Sequence, residues 1–383
     1  MASALIGFGQ QIYVVLRNQL LHDLSLPASL LGVVQAGGAA AGVAAGAVGL
    51  WLFPRASSTV LLRVGALTNA AGFAMQLAAV RPWQFVVGAA VAGFGIQTLS
   101  MASGPFLAQH VRAGERVKIY ALQSVAIQTA PGALGAVLGG EIQRCVAQVG
   151  GEAVFGHRVA LAVGTAAVAL ALLPLRRVAA TTDAPRDRSP STISVRAFRT
   201  VIMTDILVFF GAGLTVPFIQ VYLRAEFGVP PHRVGWYFGG AMLAGTLANL
   251  ITPSLSRLAG ERRLFWLLQL ATAAGFIGLA TAATERGAAV SLVARAACAV
   301  SAAPLWTALL HARLRPDEGD RVAGWRMLSQ SVAWTVANLL AGLEFSRGTG
   351  AMRDLLISAA LAHAAAAWWG RRTLEFMESD RRR

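Results

Sequence analysis

Charge is scarce in this chain. Only 13% of its 383 residues are Asp, Glu, Lys or Arg, where soluble domains carry about a quarter. With 56% hydrophobic residues and a mean hydropathy of +0.58, a water-soluble fold would have to expose large apolar patches, which favours aggregation. Cysteine is nearly missing: Cys145 and Cys298 lie far apart without metal-ligand spacing, which excludes a disulfide framework and a zinc site. The six histidines, His22, His110, His157, His232, His311 and His363, are scattered without metal spacing. No Gly-Lys-Ser/Thr phosphate loop occurs, which argues against ATP-driven work by this chain. No nucleophile–base cluster appears, and the reading is of a non-enzyme. Nor do the apolar runs alternate with polar residues, as the strands of a membrane barrel must.

What is present is a series of continuous apolar runs of roughly twenty residues, the length of a membrane-spanning helix. They fall at 2–21, 28–50, 59–79, 83–109, 118–141, 158–175, 200–223, 233–253, 264–283, 288–310, 325–344 and 352–370. In lipid, helices satisfy every backbone N–H and C=O internally, so the expected fold class is an all-α integral membrane protein with twelve transmembrane helices. The first run begins next to Met1 and lacks a basic leader region and a cleavage site, so it reads as a span rather than a removed signal.

The longest polar interval, Arg176 to Arg199, lies near the middle and carries Arg, Pro, Ser and Thr. It divides the chain into a six-helix bundle over 1–175, a cytoplasmic linker over 176–199, a second six-helix bundle over 200–370 and a basic tail over 371–383. The Asp183 to Ser194 part is expected to be a flexible tether. The net charge of +15 sits mainly in loops that share one side if both termini are cytoplasmic. That is the positive-inside pattern, and it makes a nucleic-acid partner the weaker reading of the basic composition. Arg381, Arg382 and Arg383 are expected near anionic headgroups, and Trp368-Trp369 as an interfacial anchor.

The two halves echo each other. Pro27, Gly32, Gly37 and Gly42 recur as Pro230, Gly235, Gly240 and Gly245, all offset by 203 residues. Gly104-Pro105-Phe106-Leu107 is answered by Ala303-Pro304-Leu305, and Gly114-Glu115-Arg116-Val117 by Gly319-Asp320-Arg321-Val322. Parallel repeats of this kind mark transporters whose halves are related by an axis along the membrane normal.

On these features the chain resembles the major facilitator superfamily of secondary transporters. The likeness is carried by Leu16-Arg17-Asn18 with Leu24 to Gly32, by Gly211 to Phe218, and by Pro253 to Arg263, which is similar to the second-half copy of the signature loop. Arg295 stands where a motif arginine does, on the tenth helix rather than the fourth. Gly132, Gly135, Gly139 and Gly140 resemble the glycine-rich motif of antiporters without its Gly-Pro step. The first-half signature loop departs from the pattern: Gly49 to Thr59 keeps Gly49 and Arg55 and lacks the acidic residue.

The resemblance implies two pseudo-symmetric six-helix bundles, a cavity lined by helices 1, 4, 7 and 10, and alternating access. The implied function is movement of a small organic or drug-like solute across the bacterial inner membrane, driven by its own gradient or by protons. The alternative is a non-transporting sensor or assembly partner on the same scaffold. Its partners would be the solute, the bilayer and protons, with no cofactor, no metal and a monomeric state. Intramembrane polar residues are functional candidates, and this selects Gln10, Gln11, Tyr13 and Arg17 on helix 1, Gln97 on helix 4, and Gln123 and Gln128 on helix 5. The second half adds Asp205, Gln220, Asn249, Arg295, Trp306, Gln330, Trp334 and Asn338. Asp205 is the coupling candidate, against the alternative that it caps its helix or reaches the headgroups. Arg295 is read as an anion anchor or as a structural bond to carbonyls, set roughly 10–15 Å in depth from Asp205. Trp306 and Trp334 are read as an apolar wall or as packing residues. Arg257, Arg262 and Arg263 form the candidate gating loop.

Overall fold

The computed structural model describes residues 1–52, 56–110, 130–150, 152–178, 195–311 and 319–381. Among them every regular element is a helix. In chain order these are α1 (Ala2–Asp23), α2 (Ala28–Leu52), α3 (Ser58–Leu77), α4 (Pro82–His110), α5 (Ala130–Gly150), α6 (Ala153–Leu170) and α7 (Leu172–Arg176). Then follow α8 (Val195–Thr215), α9 (Ile219–Phe227), α10 (Pro231–Ala259), α11 (Glu261–Ala280), α12 (Glu285–His311), α13 (Gly319–Phe345) and α14 (Thr349–Arg381). Taking α6 with α7 and α8 with α9 gives the twelve expected spans.

Two expected spans are each two helices, and proline explains both. Pro217 has no N–H to donate, and it lies in the Val216–Phe218 turn where α8 gives way to α9. Pro174 likewise cannot bond back toward Leu170, and the chain is interrupted at Ala171 between α6 and α7. Elsewhere the helices outrun their apolar stretches. α14 continues through Arg371 and Arg372 into the residues read as the tail, because a helix outside the hydrocarbon keeps its own hydrogen bonds whatever its side chains.

Eight described spans are long and apolar enough to cross a membrane by composition. Helices α1, α5, α13 and α14 are not among them. Helix α1 carries the buried Asn18 and Gln19, which other helices must cover, and the run at 118–141 is described only from Ala130.

The chain forms two compact units that cut across the sequence halves. One comprises Met1–Arg186 together with Pro217–Gly240; the other comprises Asp187–Val216 and Ala241–Arg383. In the first unit α4 packs on α2 and α3, and α1 on α5 and α6. Small residues set these distances: a Cβ at Gly93 on α4 would fall into the backbone of Gly38 on α2, the close approach typical of membrane helices. In the second unit α11 packs on α12 and α14, and α8 on α13 and α14. Its core includes Leu264, Phe265, Trp306, Leu309 and Leu310, with the Phe265 and Trp306 rings stacked at 4.8 Å.

The glycine echo is an echo of contacts at one pair, with Gly42 facing Gln97 on α4 and Gly245 facing Val300 on α12, but not at another, where Gly37 meets Val86 and Gly240 meets nothing. Gly235 lies against the Ala136 carbonyl of α5, whereas Gly240 has open space where a Cβ would stand. Gly235→Ala should therefore lower the thermal unfolding midpoint, at a cost of about 1–3 kcal/mol for overpacking. Gly240→Ala should be neutral or stabilising by up to about 1 kcal/mol. The reverse order in thermal denaturation of the purified variants would contradict this packing.

Candidate functional site

In the second unit, Asp205 sits at the middle of α8 with only 2% of its surface exposed. It neither caps the helix nor reaches outward. Arg326 on α13 approaches it as a fork, Nε donating to Oδ2 at 2.6 Å and Nη2 to Oδ1 at 3.2 Å. The Trp306 indole N–H of α12 donates to Oδ1 at 3.2 Å. The same guanidinium reaches Thr307 Oγ1 at 3.4 Å. Three helices are thus tied together by one carboxylate, through the bidentate geometry that suits arginine best. Trp306 is consequently more than a wall: one face stacks on Phe265 while its N–H is committed to Asp205.

Beside this triad an apolar groove of about 440 Å³ runs between α8 and α13, lined by Ile202, Ile206, Phe210, Leu328, Val332 and Val336 among others. Trp334 packs edge-to-face on Phe209 at 6.3 Å and lies against Gly213. Asn338 is buried and donates to the Trp334 carbonyl within its own helix at 2.6 Å, leaving its Oδ1 without a partner. The Asn249 Oδ1 is also buried without a partner, and Gln330 is half-buried.

Arg295 stands apart from this triad. It lies over the Phe276 ring at 5.0 Å, and the neighbouring His363 bonds through Nδ1 to Gln269 Oε1 at 2.7 Å. This places Arg295 among α11, α12 and α14, where it makes a cation–π contact and, among the described residues, no hydrogen bond to a carbonyl. Arg257 is exposed and bonds only to Ser254 of its own helix, at 3.3 Å. Arg263 is exposed and Arg262 half-buried.

In the first unit, Tyr13 is buried and serves packing. Its ring stacks on Phe73 at 3.7 Å and its hydroxyl donates to the Phe73 carbonyl at 2.7 Å, with Thr165 Oγ1 at 2.8 Å. Gln97 is half-buried against Gly42. Gln10, Gln11 and Arg17 are half-buried on α1. Gln123 and Gln128 lie outside the described residues, as does the Asp183 to Ser194 tether.

Gln220 anchors the polar end of this unit. It is 1% exposed and donates to the Val14 carbonyl at 2.8 Å. Around it, Asn18 donates to the Pro217 carbonyl and Gln35 to Asn18 Oδ1. Arg224 Nη1 pairs with Asp23 Oδ1 at 2.7 Å, and the buried His157 lies 3.5 Å from Asp23 Oδ2. The Trp236 indole donates to Glu141 Oε1 at 2.9 Å. These bonds join α1, α5 and α6 from the first sequence half to α9 and the start of α10 from the second.

Sequence reasoning missed Arg326, Asp23, Arg224 and Glu141. All four lie at or just beyond the margins of apolar runs, where a charge reads as belonging to a loop. The only available signal was pairing: two charges of opposite sign, each at the edge of a span, on helices brought together by the fold.

The family model of the Major Facilitator Superfamily matches residues 201–373. By sequence, no curated protein matches the chain. By structure it is similar over nearly its whole length to solved transporters. The bacterial homolog to the human lysosomal transporter Spinster, inward-facing and unoccupied, is 12% identical with a TM-score of 0.71, covering 99% of this chain and 96% of that one. The nucleoside transporter NupG is 13% identical with a TM-score of 0.74, covering 97% and 98%. The xylose transporter XylE from E. coli, partially occluded and inward open, is 16% identical with a TM-score of 0.73, covering 96% and 95%. This chain is therefore a multi-pass membrane protein of the major facilitator fold, and its second half carries that superfamily's sequence pattern.

The Asp205–Arg326 pair has a measurable signature. Removing either partner alone, by Asp205→Ala or Arg326→Ala, should destabilise the protein by about 3–5 kcal/mol, because the other charge is left buried. The double replacement Asp205→Leu with Arg326→Met should recover most of that loss. A double-mutant cycle on unfolding in detergent checks this, and strictly additive losses would show that the two do not interact.

Proposed function

We propose that this protein is a secondary transporter that carries a small organic solute across the bacterial inner membrane by alternating access. The carrying observation is that two helical spans of the second sequence half change compact unit part-way along. The boundaries fall at Val216–Pro217, in the turn between α8 and α9, and at Gly240–Ala241 within α10. The broken backbone at Pro217 and the open space at Gly240 are where small dihedral changes meet least resistance. Beyond these points, α9 and the start of α10 are latched to the first-half helices by Asp23–Arg224, Glu141–Trp236 and Asn18–Pro217. Opening this end to a solute requires those contacts to part, and a transporter must make and break them once per cycle. With both termini cytoplasmic, as the basic loops favour, this latched end faces outward.

The similar structures include the D-xylose–proton symporter and the nucleoside transporter, which supports a small-molecule cargo for this chain. The protein works as a monomer without a cofactor. Proton coupling is assigned to Asp205. Protonation would cancel its charge and leave Arg326 without an anionic partner, loosening α8 from α13 and α12. Proton occupancy of one carboxylate is thereby linked to the packing of three helices.

Two measurements test this. First, cysteines placed at Glu141 and Trp236, in a background lacking Cys145 and Cys298, should be joined by a short thiol cross-linker. Solute counterflow in proteoliposomes should then stop; continued counterflow with complete cross-linking would rule out opening at this end. Second, Asp205→Asn should abolish uptake driven by a proton gradient while sparing solute exchange. If both are lost together in folded protein, Asp205 is a structural clamp and the coupling site lies elsewhere.

A further inference from the structure

A guanidinium inside a bilayer is expensive unless it finds a partner or water, so each interior arginine can be asked what answers it. Arg63 donates to the carbonyls of Leu175, Arg176 and Val178 at the end of α7. Arg158 does the same to Leu77 and Ala79 at the end of α3. Arg224 has Asp23, and Arg326 has Asp205. Arg295 has the face of Phe276. Arg17 has none of these. It is half-buried on α1, its Nε is enclosed without an acceptor, and no carboxylate among the described residues pairs with it. Asp23, on the same helix, is already committed to Arg224.

The surroundings of Arg17 are not those of a packing residue. Positions seven apart on a helix share a face, which puts Gln10 and Arg17 on one stripe with Val14 between them. Gln10 and Arg17 are half-buried, and Val14 is 40% exposed although both neighbours, Tyr13 and Val15, are buried. This stripe of α1 is half-open, while the positions beside it are buried. The carboxamide of Gln10 makes no hydrogen bond among the described residues. Along the helix axis the two groups are separated by about 10 Å, the span of a small organic acid. The Gln220 Oε1, held near the same stripe by the bond to Val14, is buried and unpartnered as well.

We infer that the transported solute is an organic anion whose carboxylate or phosphate is taken by Arg17, with Gln10 as a polar contact for the rest of the molecule. This deepens the transport reading and rests on it. The planar fork of arginine accepts either anion through two parallel hydrogen bonds, and arrival of the anion supplies the counter-charge that the fold withholds. A substrate of that charge would be attracted to the stripe from a distance, because no fixed carboxylate there competes for it.

The test uses purified full-length protein and three matched pairs: benzoate with benzamide, succinate with succinamide, and glycerol 3-phosphate with glycerol. Thermal unfolding is followed at rising ligand concentration. At least one anion should raise the midpoint while its neutral counterpart does not, and the pair that responds separates carboxylate from phosphate. Arg17→Gln should weaken that anion by about 10- to 100-fold, and Arg17→Lys should keep part of the effect because the charge remains. No response to any of the anions, equal responses to neutral partners, or an unchanged response in Arg17→Gln would each overturn the proposal. Proteoliposome uptake separates it from the transport reading. An Arg17-dependent thermal shift without uptake or exchange keeps the anion site and counts against transport. Uptake of a neutral solute that Arg17→Gln leaves unchanged keeps transport and removes the anion site.

Discussion

Lipid offers no hydrogen bonds, so a charge held among membrane helices must be answered by the protein or by what the protein carries. That constraint organises this molecule. Asp205 is answered by Arg326 and Trp306, Asp23 by Arg224, and Arg63 and Arg158 by carbonyls left unsatisfied at helix ends. Each answer joins elements that are distant in sequence. The polar residues that lower the hydropathy of α1 and α13 are therefore the ones that fix their neighbours.

The same constraint gives these ties a particular energetics. A buried ion pair contributes little net stability over an apolar pair of similar size, yet it is costly to break one partner at a time. Such a contact specifies which helices meet more than it adds net stability. The Asp23–Arg224 pair closes one end of the first unit, and the Asp205 triad binds three helices of the second. Between them the backbone is interrupted at Pro217. Small residues such as Gly38 and Gly93 let neighbouring helices approach closely.

Legibility in the sequence was uneven, for physical reasons. Span length and number were readable because hydrocarbon thickness fixes both. Of the polar candidates, Asp205, Gln220 and Trp306 proved to be joined in networks because intramembrane polarity is rare and must be used. Tyr13 and Trp334 turned out to pack against Phe73 and Phe209, since an aromatic ring at a helical position reads identically whether it faces a cavity or a neighbour. Arg295 was readable as interior but not as the partner of a ring. Arg326 was invisible because a charge at the edge of an apolar run looks like a loop charge until the partner helix is known.

The amino-acid sequence by itself determined that the chain is a helical membrane protein of twelve spans, because backbone satisfaction in lipid and bilayer thickness leave few alternatives. It also carried the likeness to the major facilitator superfamily. Only the tertiary structure decided which charges are paired, that Pro217–Gly240 packs with the first-half helices, and that the Arg17 Nε has no acceptor among the described residues. Those depend on which helix faces lie together, and a periodicity of 3.6 residues gives each helix a face without saying what it meets.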